Sequence, residues 1–330
     1  MLSRVAENLF WIGRYIERAE NVARLVDVGR RMSALPRDIH PTPSNEWSSI
    51  LIAAGSQNIY ERDIERADMR STIDHLFFDP SVPSSVYNSF HYARENGRAI
   101  RTALTQDCWE ALNSAWTGMR DLPRERASGA ALADIIDWIK SQSALFRGAF
   151  HGTMVRDDGY EFIRMGMAIE RVDSTARLLD VKYHVLLADI SEVGSGADHY
   201  QWLSLLQASA GQRAYAFLTK SPISARGVAQ FLILADRFPR AIRFNVQLTA
   251  DTVASLERFY GKDASCHERV QNFLDRVTSL DIEAIFSFGL HEFLTDVIER
   301  NYAVADGLAE AYGFAPILTD DGAADETGGQ

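Results

Sequence analysis

Cysteine, proline and glycine are all scarce in this chain of 330 residues. Two cysteines, Cys108 and Cys266, are too few for a disulfide scaffold or for a four-thiolate zinc site. With 21 glycines and 9 prolines, the sequence is also unlike a collagen or a flexible linker. Long apolar runs are missing as well: the best, at 228–235, is short and contains Gln230. A membrane-spanning helix, which needs roughly 18 such residues, is therefore not expected.

Positive charge is in short supply too. The chain has 34 lysines and arginines against 45 acidic residues, a formal net charge of −11. Proteins that bind nucleic acid usually carry the opposite sign or a concentrated basic face, so nucleic acid is disfavoured as a ligand. Glu7 and Arg14 interrupt the region where a signal peptide has an unbroken apolar core. We therefore expect a cytoplasmic globular protein that binds neither nucleic acid nor membrane.

An internal repeat organises the sequence. Residues 13–28 recur as residues 166–181 at an offset of 153, and nine of the sixteen positions are identical. Weaker echoes persist at offsets of 155 and 156, as in Trp47 and Trp202. A steady offset indicates two copies of one unit. We predict a first half at 1–155, a second half at 156–313 and an acidic, disordered tail at 314–330.

Apolar residues recur at spacings of three and four along most of the chain, the pattern of amphipathic helices. Clean two-residue alternation bounded by hairpin turns does not occur. The predicted helices are 9–28, 86–112, 132–150, 162–187, 202–217, 228–235, 242–259 and 290–311. The predicted fold class is all-α, a helical bundle built from two pseudo-symmetric, internally duplicated halves.

On a helical wheel, each copy of the repeat divides into a broad apolar face and one polar stripe. The stripes contain Gly13, Glu17, Glu20, Arg24 and Asp27 in the first copy, and Gly166, Glu170, Asp173, Arg177 and Asp180 in the second. A glycine inside a helix costs about 1 kcal/mol relative to alanine. A solvated face has no use for it, so we predict that another backbone or a ligand approaches each glycine.

Three hypotheses follow for these stripes. In the first, acids and arginines form a buried ion-pair network, which the i,i+4 spacing of Glu20 and Arg24 favours. In the second, the stripes line a polar cleft where Glu17 and Glu170 act as acid/base groups. Its candidate substrate-binding residues, including a polar run on another helix, are Arg18, Glu20, Arg24, Arg171, Asp173, Arg177, Arg94, Glu95 and Asn96. In the third, Glu17, Glu20, Glu170 and Asp173 are oxygen ligands of a metal ion.

Several motifs of self-contained catalysis are missing from the sequence. It has no Gly-x-Ser-x-Gly elbow, no phosphate-binding loop and no pair of Glu-x-x-His motifs for a di-metal site. A stand-alone hydrolase or kinase is therefore disfavoured. We expect no cofactor.

The opening segment at 2–27, LSRVAENLFWIGRYIERAENVARLVD, resembles the signature of the bacterial alpha-E family. The similarity continues through the sequences at 93–98, 109–113, 170–180 and 231–240, and it covers residues 1 to about 313. Gly97 and Val172 stand where alanine is usual in the family. Neither departure affects the resemblance.

The resemblance implies an all-helical protein of unsettled role, often encoded beside a circularly permuted ATP-grasp protein and a transglutaminase-like protein. Those neighbours imply amide-bond chemistry on a peptide or amine substrate. Our leading hypothesis is an accessory or binding subunit of an ATP-grasp amide-ligase system, which engages the ligase or its peptide substrate through the Glu/Arg cleft. The alternative is an enzyme in its own right that acts on a peptide or amine, with Glu17 or Glu170 as general base.

Overall fold

A computed structural model describes residues 1–34, 46–60, 63–122, 130–186, 196–260 and 266–314, and the regular structure within these ranges is helical throughout. The all-α prediction is confirmed. The α-helices are α1 (Ser3–Met32), α2 (Glu46–Ala53), α3 (Met69–Ile73), α4 (Val86–Ala99), α5 (Gln106–Asp121), α6 (Ala130–Thr153), α7 (Asp158–Leu186), α8 (Gly196–Ala208), α9 (Gln212–Thr219), α10 (Ala225–Leu234), α11 (Ile242–Tyr260), α12 (His267–Thr278), α13 (Ile282–Phe288) and α14 (Leu290–Tyr312).

Two predicted helices are each broken in the structure. The helix predicted at 86–112 is α4 followed by α5, because a 3-10 turn at Arg101–Ala103 intervenes. The side chain of Thr105 then caps α5 by accepting a hydrogen bond from the backbone N–H of Cys108. The helix predicted at 202–217 is interrupted between α8 and α9, where Ala210 adopts a φ of 55°. A residue in that left-handed region cannot continue an α-helix.

The two longest helices, α1 and α7, form the centre of the fold. Helices α4 and α6 pack on α1, and helices α11 and α14 pack on α7. Apolar side chains on both central helices, such as Ile16 and Ile169, are fully buried. So are parts of both polar stripes, which is why these stripes have to find their partners inside the protein. None of the helices in the described ranges is long and apolar enough to cross a membrane.

Helices α1 and α7 cross at the two glycines of the polar stripes. A Cβ added to Gly13 would collide with the carbonyl oxygen of Ile163, and one added to Gly166 would collide with that of Phe10. In both cases the obstacle is the backbone of the other helix, which cannot turn aside as a side chain can. The prediction that another backbone approaches these glycines is confirmed.

Contacts around this crossing come in pairs related by the repeat offset. On α6, Ser143 donates a hydrogen bond to the carbonyl oxygen of Ile16 (3.2 Å). On α14, Asn301 donates one to the carbonyl oxygen of Ile169 (2.9 Å), which stands 153 residues after Ile16. Such reciprocal contacts are those of two related halves. The superposition of 1–155 on 156–313 stays a prediction.

The first residue of the predicted tail belongs to the folded core. Phe314 is buried, and its ring lies 5.6 Å from that of Phe10 and 5.9 Å from that of Phe162. The chain turns away from α14 just before it, at Gly313, whose φ of 68° suits glycine. The rest of the predicted tail, 315–330, lies outside the described residues.

Candidate binding site at the helix crossing

Glu17 lies on α1 at the crossing and has no exposed surface. Its carboxylate contacts Arg171 at 2.5 Å, Arg147 at 3.3 Å and Arg240 at 3.9 Å. Burial acts to raise the pKa of Glu17, but the three guanidinium groups outweigh it and hold the pKa below its ordinary value. Glu17 is therefore an ionised, enclosed carboxylate.

Glu20 extends this cluster on the same face of α1. Its side chain is 1% exposed and pairs with Arg24 at 2.5 Å, with Arg240 at 2.5 Å and with Arg147. Burial again opposes ionisation, yet Arg240, Arg24 and Arg147 together lower the pKa of Glu20 to about 2. This side of the crossing matches the first hypothesis, a buried ion-pair network. We refer to Glu17, Glu20, Arg24, Arg147, Arg171 and Arg240 as the closed side.

Glu170 lies on α7 at the position that corresponds to Glu17. It contacts Arg14 at 2.5 Å and Arg18 at 2.8 Å, both on α1. Burial raises the pKa of Glu170, and the two arginines more than reverse that effect, so that the pKa is about 2. The two Glu-Arg dipeptides thus exchange partners across the crossing, because each glutamate binds the arginine of the other dipeptide.

A pocket opens beside Glu170, with an empty volume of about 670 Å³ that includes the solvent at its mouth. Glu17 is not among its lining residues. Two aromatic side chains, Trp11 and Tyr302, contribute to the wall. The charged side chains of the wall are Arg14, Arg18, Glu170, Asp173 and Arg177. We refer to this surface as the open side.

Asp173, Arg177 and Tyr302 form one wall of the pocket. The Nε of Arg177 donates to Asp173 (2.8 Å), and its Nη2 donates to the hydroxyl of Tyr302 (2.8 Å). The nearby Asp173 carboxylate raises the pKa of Arg177, so this guanidinium stays charged. The tip of Arg177 lies against Gly55, where a Cβ would come within 3.2 Å of Nη1. Glycine is suited to that position for a second reason, its φ of 71°.

Three polar atoms on the lining residues are buried and make no hydrogen bond within the described parts of the chain. They are Nη1 of Arg14, Nδ2 of Asn21 and Oδ1 of Asp173. The Arg14 side chain is 3% exposed. Leaving a buried polar group unpaired costs about 1–3 kcal/mol, and more when the group is charged. Two donors and one acceptor on side chains of one pocket therefore indicate a place for a ligand with both kinds of partner.

The remaining candidate residues lie elsewhere. Arg94, Glu95 and Asn96 are half-buried on α4 and do not line the pocket. Arg94 pairs with Glu95 at 2.5 Å and donates to Asn113 (3.3 Å). Of the other candidates, Glu20, Arg24 and Arg171 belong to the closed side, whereas Arg18, Asp173 and Arg177 belong to the open side.

Sequence reasoning missed three arginines of the crossing. Arg14 stands one turn before Arg18, but its wheel position was not part of the stripe. Arg147 and Arg240 come from other elements, and spacing along α1 carries no information about them. Arg240 did lie in the 231–240 segment that supports the family resemblance, which was its one available signal.

The metal hypothesis finds no set of ligands in the described part of the chain. No group of three or more His, Cys, Asp or Glu residues there is placed to hold a metal ion. The four carboxylates proposed as ligands each bind a guanidinium group instead. A metal ion would have to displace those arginines.

Comparison with known proteins identifies the family. The model of Alpha-E, described as a predicted alpha-helical domain with a conserved ER motif, matches residues 1–312. The chain belongs to the Alpha-E family. Two of its Glu-Arg dipeptides, at 17–18 and 170–171, make the exchange at the helix crossing.

The curated relatives of this Alpha-E chain are themselves described as uncharacterized. Proteins of Mycobacterium bovis and Mycobacterium tuberculosis are each 28% identical to it over 329 residues. The alignments cover 93% of this chain and 36% of each relative, so the chain spans about a third of their length. No solved structure gives a significant match.

Proposed function

We propose that this Alpha-E chain is a binding subunit whose ligand occupies the pocket on the open side. The observation that carries the proposal is the pocket wall, which consists of paired, ionised side chains held in place by the helix crossing. Such a wall recognises charge without exchanging protons. Glu170, with a pKa of about 2, is a poor proton acceptor near neutral pH.

The alternative, an enzyme with a glutamate as general base, fits the same geometry less well. A general base has to reach the proton that it removes and needs a pKa near the working pH. Glu17 has no exposed surface and binds three arginines, and Glu170 binds two. Both carboxylates are better suited to holding arginines in position.

We further propose that the subunit serves an ATP-grasp amide-ligase system in the cytoplasm. Its partners would be a circularly permuted ATP-grasp protein and a transglutaminase-like protein, with a peptide or amine as substrate. The resemblance of the opening segment supports this assignment. The pocket is compatible with it, since amide formation joins a carboxylate to an amine and the wall carries charges that can bind either group.

Co-purification tests the proposal. The untagged ATP-grasp protein encoded beside this gene is expressed with the tagged chain, and complex formation is measured by gel filtration. We expect a stable complex, and we expect the isolated chain neither to bind ATP tightly nor to hydrolyse it. Failure to form a complex contradicts the partner assignment. ATP turnover by the isolated chain that is lost in Glu17→Gln contradicts the binding-subunit proposal and favours the enzyme alternative.

A further inference from the structure

The unpaired atoms of the open side define what a ligand must supply. Arg14 Nη1 and Asn21 Nδ2 are donors without acceptors, and Asp173 Oδ1 is an acceptor without a donor. A carboxylate presents two oxygens and can accept from both donors, while an ammonium group can donate to Asp173. One small molecule that carries both groups would satisfy all three atoms.

The charge of the wall narrows the class further. Its ionised residues are three arginines and two acids, Arg14, Arg18, Arg177, Glu170 and Asp173, so that one positive charge is left over. A neutral zwitterion would leave that charge uncompensated in a partly desolvated site. An amino acid with a second carboxylate has a net charge of −1 and would balance it.

Simple anions are a poorer match for the same wall. Phosphate or a dicarboxylate without an amine could accept hydrogen bonds from Arg14, but either would bring negative charge close to Asp173. Such an anion also has no cationic donor for the Oδ1 of Asp173, which would stay unpaired. Both effects disfavour a ligand without an ammonium group.

Building on the proposed binding function, we propose that the open-side pocket binds an acidic α-amino acid with a free ammonium group. One carboxylate of the ligand accepts from Arg14 and Asn21, and the ammonium group donates to Asp173. The second carboxylate compensates the remaining positive charge of the wall. Trp11 supports this arrangement, because the guanidinium carbon of Arg14 lies 5.5 Å from its ring centre and is held there by a cation–π contact.

Calorimetry and thermal shift on the purified full chain test the inference. The probes are L-glutamate and L-aspartate, compared with glutarate, N-acetyl-L-glutamate and inorganic phosphate. We expect at least one of the two amino acids to bind and to raise the melting temperature. The comparators, which lack the ammonium group, should bind about tenfold more weakly or less, the effect of losing roughly one charge-assisted hydrogen bond.

A pair of variants locates the preference. Asp173→Asn should remove the discrimination between L-glutamate and glutarate. Glu20→Gln, at the corresponding position of the first repeat, lies on the closed side and should leave that discrimination intact. If Asp173→Asn does not fold, Asn21→Ala provides a second variant, in which affinity for L-glutamate should fall.

The possible failures are distinguishable. Equal binding of L-glutamate, glutarate and phosphate would overturn the amino-acid inference while leaving a binding pocket on the open side. Absence of any response to the two amino acids would also overturn it, and co-purification with the ATP-grasp protein would then decide the proposed function separately. An unchanged preference in Asp173→Asn would remove Asp173 from the site and overturn the geometry proposed for the ammonium group.

Discussion

Glu17 and Glu170 occupy corresponding positions 153 residues apart, yet their surroundings differ. Around Glu17, the space is filled by Arg147 and Arg240, which complete a closed network. Beside Glu170 the pocket is open, and its third charged neighbour is Arg14 on the facing helix. The second repeat has the buried Met167 at the position of Arg14, so the chain supplies this arginine to one side of the crossing and not to the other.

Replacing each glutamate by glutamine should separate the two sides by stability. Glu17→Gln leaves three buried guanidinium groups without their carboxylate and should cost about 3–5 kcal/mol of unfolding free energy. Glu170→Gln should cost less, about 1–3 kcal/mol, because the pocket admits water to the guanidinium of Arg18. Denaturant-induced unfolding of both variants measures the difference. An unchanged stability of Glu17→Gln would mean that Glu17 faces open solvent.

Acid should weaken the fold through the same carboxylates. The pKa values of Glu20 and Glu170 are about 2 in the folded chain, below their ordinary value in an unfolded one. A lowered folded-state pKa gives stability that is complete above the unfolded pKa, near 4.3, and is lost as the pH falls towards 2. The unfolding free energy, measured from pH 7 to pH 3, should therefore decline below about pH 5. Glu170→Gln should show a shallower decline, and an equally steep one would contradict the assignment.

At this scale the sequence predicted faces but not partners. The spacing of Gly13, Glu17 and Glu20 placed them on one stripe, and the structure confirms that the stripe meets another backbone. The identity of the counter-charges was out of reach, because Arg147 and Arg240 lie 130 and 223 residues from Glu17. Periodicity describes one helix at a time, whereas an ion pair between helices depends on the packing of the whole fold.

Among the helices, the long central ones were predicted well and the short ones were not. Helix α12 was missed although Val270, Phe273, Leu274 and Val277 are buried at the i, i+3, i+4, i+7 spacing of an amphipathic helix. Its twelve residues give that signal little length. The break after α4 was missed for the opposite reason, since apolar residues continue through the 3-10 turn and keep the spacing nearly regular.

The crossing of α1 and α7 makes a prediction about glycine. Gly13→Ala and Gly166→Ala each place a methyl group against a carbonyl oxygen of the other helix, which forces the two helices apart. We expect a loss of at least about 1–3 kcal/mol in each, the usual range for overpacking a core. The measurement is thermal or denaturant unfolding.

Gly148→Ala is the matched control for these variants. Gly148 lies within α6, and nothing comes within 4 Å of a Cβ added there. Alanine at this position should leave stability unchanged or raise it by up to about 1 kcal/mol through helix propensity. Equal effects of all three substitutions would contradict a close backbone crossing.

For the whole molecule, the repeat predicts an architecture in which α1 corresponds to α7, α4 to α11, and α6 to α14. The paired contacts of Ser143 and Asn301 fit that scheme. What the repeat could not predict is where the halves diverge. The open side requires a pocket between α1, α7 and parts of both halves, and a pocket is space that no residue of the sequence records.

The central claim is that the two Glu-Arg dipeptides exchange partners across α1 and α7. A double-mutant cycle tests it most directly, with Arg18→Gln, Glu170→Gln and their combination measured by denaturant unfolding. The reference is the same cycle for Arg226 and Glu283, an exposed ion pair whose coupling energy should be about 0–1 kcal/mol. For Arg18 and Glu170 we predict a coupling energy of about 1–3 kcal/mol. A value no larger than that of the exposed pair would contradict the exchange.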